Sequence, residues 1–228
     1  MKTTAFIFAF VIMSSMTYGQ TNPQFQPEEF PKAQANSIYD YLINNVKYFQ
    51  DAALNCIPGT EVIAFLVTPE GELTGFRVIN SVSPAVDDEV IRVLKETSGS
   101  WSPGFRNGVP AGMEQEVALV FVPNGYFNIV EEAKNLLDKG NRILTVKKDP
   151  ERALKYFNDA FRLRPCEESI LAARSRCLYT LGDIEGAILD CSRIIELNRS
   201  QSNQLEAADP FTLMEQLMDH AEGSIAFR

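Results

Sequence analysis

The sequence predicts an α+β fold, a small three-stranded antiparallel sheet with two helices, followed by an all-α helical array. Three observations carry this. Residues 58–122 hold two β-branched and aromatic runs, a helical run, and a third alternating run. From Tyr126 onward the apolar period becomes helical. Shifting that second half by 34 residues lays it on itself, so the array is built of repeats.

The first 19 residues read as a secretory signal, outside the fold. Lys2 supplies a positive charge, the run AFIFAFVIM from Ala5 is apolar, and small residues lead to Gly19 ahead of Gln20. The rival reading is an uncleaved membrane anchor, but the apolar run is shorter than the roughly 20 residues a spanning helix needs. Cleavage would leave a protein with no membrane insertion, exported to the periplasm. Residues 20–35, with three prolines and little apolar pattern, read as a short exposed linker.

Residues 36–53 read as a helix capped by Asn36 or Ser37, with Ile38, Leu42, Val46 and Phe49 recurring at helical steps. In the first strand Ile63, Phe65 and Val67 point one way and Val62, Ala64 and Leu66 the other. Pro69-Glu70-Gly71 is turn chemistry, and the second strand spans residues 73–81. Ser83 caps the next helix with Pro84 at its first position, and Val86, Val90, Val93 and Leu94 form its apolar stripe. The adjacent Asp87, Asp88 and Glu89 complement the helix dipole; neighbouring side chains on a helix diverge, so they make no acid–base pair. Trp101 opens a Pro/Gly-rich loop, and Val117, Leu119 and Phe121 mark the third strand.

In order, spacing and the Trp101-Ser102-Pro103-Gly104 signature, residues 36–123 resemble the C-terminal domain of TonB, the periplasmic energy-coupling protein of Gram-negative bacteria. The resemblance implies a domain that binds peptide strands and catalyses nothing, with Trp101 packed in the signature loop. It also implies that the last strand, Gln115, Glu116, Val117, Ala118, Leu119, Val120 and Phe121, is an edge to which an extended peptide adds. An outer-membrane receptor or another envelope protein is the implied partner. The chain departs from an energy transducer in its short linker, whose roughly 16 residues reach at most about 55 Å.

In the second half, Leu137 falls on Leu171, Leu144 on Leu178, Ala153 on Ala187 and Leu163 on Leu197. A period of this length in paired helices is the tetratricopeptide signature. Ala153, Phe157, Ala160 and Pro165 occupy its small, aromatic, small and proline positions; the second repeat keeps Ala187 but carries Cys191, Ile194 and Arg199. The repeats span 126–199, with helices at 128–146, 150–162, 167–181 and 184–198, the first opened by Asn128 with Glu131. Two repeats bury too little surface alone, so residues 209–221 are expected to cap the end, with Asp209 at the N-cap and Phe211, Met214, Leu217 and Met218 packing. The tetratricopeptide pattern implies a concave face carrying Asn135, Asp138, Arg142, Thr145, Ser169, Arg176 and Tyr179. Arg142 and Arg176, one period apart, could hold a peptide carboxylate; ordinary solvated charge, with Asp138 pairing Arg142, is the alternative.

A net charge of −9 disfavours nucleic acid and anionic membrane surfaces. His220 is the single histidine, no nucleotide motif occurs, and no cofactor or metal is implied. Cys56, Cys166, Cys177 and Cys191 lack the spacing of a disulfide framework, and Cys191 takes a core position. The expected protein is a non-enzymatic periplasmic interaction module, an adaptor that binds extended peptide at a sheet edge, a partner on the helical face, or both. A membrane-anchored TonB-like transducer for outer-membrane transport, and an envelope assembly factor or an enzyme with an unrecognised site, are the alternatives.

Overall fold

The computed structural model describes residues 6–10, 20–26, 37–47, 58–122, 128–201 and 209–223. The chain divides into two units, Met1–Phe127 and Asn128–Arg228.

In the first unit, strands β1 (Phe6–Phe10), β4 (Gly59–Val67), β5 (Leu73–Asn80) and β9 (Met113–Val122) form one sheet in the order β1-β9-β4-β5. All its pairings are antiparallel. The sheet therefore gains a strand over the expected three, and that strand comes from the segment read as a leader. The rest of the expected leader, outside Phe6–Phe10, lies beyond the described residues.

Alternation sorts the side chains as expected. Ile63, Phe65 and Val67 of β4 and Val117, Leu119 and Phe121 of β9 are buried in one cluster with helices α1 (Ile38–Asn45) and α2 (Pro84–Lys95). Helix α2 contributes the expected stripe, Val86, Val90, Val93 and Leu94, and its cap is Ser83, whose Oγ accepts from the Val86 N–H. Helix α1 is shorter than the sequence suggests. Ser37 caps it, but the chain turns extended at Val46, which still packs in the core. Phe49 and the rest of the expected helix fall outside the described residues.

Residues 20–26 correct the linker reading. Strand β2 (Gln20–Thr21) pairs with β7 (Gly104–Arg106), and β7 with β8 (Val109–Ala111); strand β3 (Gln24–Phe25) pairs with β6 (Trp101–Ser102). Gln26 donates its N–H to Ser100 O at 2.8 Å, and Pro23 is buried. Sparse apolar pattern hid this, because backbone pairing and the Phe25 ring, 5.6 Å from Trp101 and 6.5 Å from Tyr41, do the anchoring. Residues 27–36 are not described.

The second unit comprises α3 (Ile129–Arg142, continued as a π turn over Ile143–Lys147), α4 (Pro150–Leu163), α5 (Glu168–Thr180), α6 (Ile184–Gln201) and α7 (Pro210–Gly223). Asn128 caps α3 by accepting from the Glu131 N–H, and Asp149 caps α4. Ala153, Phe157 and Ala160 are fully buried, as are Ala187 and Cys191. Arg174 reaches from α5 to Asp190 of α6 at 2.8 Å and stacks over the Phe161 ring, closing a nearly dry ion pair. Helix α7 packs through Met214, Leu213 and Leu217 against Ala187 and Cys191; Phe211, expected on this face, is 48% exposed. Asp209 caps α7, accepting from the Thr212 N–H at 3.0 Å.

Gly140 sets the fit of α3 on α4. A Cβ there would lie 2.5 Å from Phe157 Cε1 and 2.7 Å from Cδ1. Gly140→Ala would gain about 1 kcal/mol of helix propensity. Overpacking a ring that cannot retreat costs about 1–3 kcal/mol and outweighs it. The variant is expected to melt below the parent by calorimetry, whereas a rise in Tm would show that Phe157 has room to yield.

Candidate functional site

The expected peptide edge lies on β9, and its chemistry follows from which way each backbone group points. Thr60 on β4 sends its carbonyl toward β5, where Asn80 Nδ2 donates to it at 2.6 Å. Backbone groups alternate sides along a strand, so those of Glu61 face β9, opposite Leu119. The β4–β9 register runs unbroken from Gly59↔Phe121 to Val67↔Met113. Val117, Leu119 and Phe121 therefore bond inward to β4, while Glu116, Ala118, Val120 and Val122 present N–H and C=O outward.

Tyr39 of α1 comes near this stretch of β9. Burial pushes that phenol up to about 12, with the nearby Glu116 carboxylate adding to the rise, so it stays protonated.

The outward edge is occupied. Phe6–Phe10 runs antiparallel along it, Phe6 opposite Val122 and Phe10 opposite Ala118. The sequence reading left this edge open, whereas the chain covers Ala118, Leu119, Val120 and Phe121 itself. An apolar β-forming run is a competent partner for any unpaired edge, whatever its other duty. Gln115, Glu116 and Val117 lie beyond the end of β1.

Two more buried groups shape the unit. Glu61 continues the Ile63–Phe65–Val67 face into the core, where it is 1% exposed. Its Oε2 accepts from the Val82 N–H at 2.8 Å, and Oε1 has no partner within hydrogen-bond distance. Burial first, then the charge of Asp87, push this carboxyl up to about 8, against the pull of the Val82 N–H. On α2, Glu89 takes Arg92 Nε at 2.8 Å and the Lys47 N–H at 2.9 Å, and Arg92 holds its carboxyl below the usual range. Arg92 also meets Glu96, which accepts from the Tyr41 hydroxyl at 2.9 Å. Two of the three adjacent acids thus have specific partners, since Asp87 accepts from Ser81 Oγ at 2.8 Å.

On the helical unit, α3 meets α5 as well as α4. Asn135, Asp138, Arg142, Ser169 and Tyr179 are exposed and Arg176 is half-buried. No ion pair joins Asp138 to Arg142 among the described residues, and Arg176 Nε is buried without a partner. Thr145 turns its hydroxyl back to Asn141 O at 2.8 Å. Cys166, Cys177 and Cys191 form no disulfide; burial pushes Cys177 up to about 11 and raises Cys191, so neither of these two is a ready nucleophile. Cys56 lies outside the described residues. Among those residues, no group of three His, Cys, Asp or Glu side chains could hold a metal ion.

Residues 44–123 match the family of the Gram-negative bacterial TonB protein C-terminal. The match takes in the end of α1, β4, β5, α2, the Trp101 hairpin and the whole of β9, so the candidate edge lies within it. No curated protein and no solved structure matches the chain. No helix among the described residues is long and apolar enough to cross a membrane.

Proposed function

We propose that this chain is a non-enzymatic protein-binding module of the Gram-negative envelope whose TonB C-terminal domain receives an extended segment of a partner, such as an outer-membrane receptor, along the outer edge of β9. The observation that carries this is the outward row of main-chain groups at Glu116, Ala118, Val120 and Val122 within the matched region. Strand addition draws affinity from such groups and tolerates varied side chains. The β4–β9 register separates two kinds of proline substitution. Val120→Pro removes an outward donor, while Leu119→Pro removes a bond to β4 and breaks the sheet. Binding of periplasmic receptor segments, followed by fluorescence anisotropy on protein purified from the envelope, should weaken at least tenfold in Val120→Pro and in Glu116→Pro. Unchanged binding in both correctly folded variants would sink the edge reading.

A second surface rests on Arg142 and Arg176 of helices α3 and α5, which form no ion pair among the described residues. The packing of Gly140 on Phe157, the buried Ala153 and Ala160, and the approach of α3 to α5 support a tetratricopeptide-like array whose first helices share a face. If receptor segments dissociate on Arg142→Glu with Arg176→Glu while Val120→Pro binds normally, this face is the docking site.

A further inference from the structure

The edge of β9 carries an occupant from its own chain, and the pairing defines both direction and length. β1 supplies five residues, Phe6–Phe10, in continuous antiparallel register with Val122 to Ala118. Because Ala118, Val120 and Val122 face outward, Phe10, Phe8 and Phe6 are the residues that exchange hydrogen bonds with them. At Ala118 the ladder stops. Past this point the edge carries acids, Glu116 and Glu114, the latter engaged with Arg77. An acidic stretch disfavours continued pairing with an apolar strand.

The residues just after the expected cleavage point are fixed elsewhere. Gln20 pairs with Arg106, Thr21 with Phe105, Gln24 with Ser102 and Phe25 with Trp101. The chain is thus anchored from Gln20 whether or not the preceding residues remain.

We propose that β9 is a self-masked docking strand: its outer edge takes an extended apolar segment antiparallel over Ala118–Val122, its first occupant is the chain's own Phe6–Phe10, and loss of residues 1–19 frees it for a partner's strand. This rests on the edge reading above and adds direction, length and a masking step. Covering an edge in this way also keeps it from pairing with other copies.

Amide hydrogen exchange on the full chain tests it. Val120 and Val122 should be protected, and Phe8→Pro should speed their exchange at least tenfold. Leu119 and Phe121, bonded to β4, should not change, which controls for folding. If Phe8→Pro unfolds the sheet, Phe6→Pro at the strand's end should release Val122 alone. Adding a lysine-flanked FIFAF peptide to Phe8→Pro should restore protection. A nitroxide at the peptide's N-terminus should broaden signals near Val122 rather than near Ala118. Fast exchange of Val120 in the full chain, no response to either proline, or broadening near Ala118 would each overturn the proposal. Exposure by Phe8→Pro, with receptor segments failing to bind the exposed edge, would leave masking standing and remove the receptor-binding reading instead.

Discussion

Trp101→Ala is expected to lower the stability of the first unit by about 3–5 kcal/mol, a large part of the roughly 5–15 kcal/mol that holds a domain together. Trp101 is 7% exposed and sits where three segments meet. Its ring lies edge-on to Phe65 of β4 at 5.4 Å and against Phe25 of β3 at 5.6 Å. Its Nε1 donates to Thr97 Oγ1 at 3.0 Å, just past the end of α2. Its backbone pairs with Phe25, and its carbonyl lies so close to Gly71 that a Cβ there would collide with it. Gly71 also holds φ +81°, which only glycine adopts easily, so the β4–β5 turn is fitted onto this loop from both sides. Trp101→Phe keeps most of the buried area and loses the Thr97 bond, so a cost near 1 kcal/mol is expected. Because Trp101 is the sole tryptophan, unfolding must be followed by circular dichroism rather than emission. Limited proteolysis should show faster cleavage within residues 20–26 in the alanine variant. Stability within 1 kcal/mol of the parent would mean the ring merely covers the sheet rather than joining its parts.

Much of this framework was legible before any coordinates. Period-two alternation located the buried face of β4 and β9, and the Ser83-Pro84 pair located α2, because each signal is local and repeated along the element. The caps Asn128 and Asp209 are likewise short-range features. What escaped was non-local. Gln20–Phe25 becomes strand only because the Trp101 hairpin offers it a partner, and nothing in its own composition announces that. The same holds for Phe6–Phe10, an apolar run whose pattern fits a leader and an edge strand equally well. Glu61 is different, since the alternation through Ile63 and Phe65 runs back onto it; a carboxylate at a core position is the kind of local conflict that marks a strained or functional site.

That carboxyl carries the second large effect, in the pH dependence of folding. The Glu61 pKa rises from 4.5 to about 8 in the fold, through burial and then the neighbouring Asp87, with the Val82 N–H pulling the other way. Below the unfolded value both states hold the proton and Glu61 costs nothing. As pH climbs from there toward 8 the unfolded chain releases the proton and the folded one keeps it. Stability therefore falls, by up to about 1.4 kcal/mol per pH unit from this group. Above about 8 the full penalty is present, with a carboxylate buried beside Asp87. Glu61→Gln retains the oxygen that accepts from Val82 and places an N–H₂ where Oε1 now has no partner. It should flatten the profile. Near pH 5 the variant and parent are expected to agree within about 1 kcal/mol, while at pH 8 the variant should lead by about 2 kcal/mol or more, roughly 4–8 °C in Tm. Asp87→Asn removes the like charge and should lessen the slope without abolishing it, because burial remains. The measurement is Tm by calorimetry at half-unit steps from pH 5 to 8.5. A gap between parent and Glu61→Gln that stays constant across that range would show that Glu61 is ionised in the fold throughout, and that its burial is relieved by water or by a cation drawn to the Asp87 side.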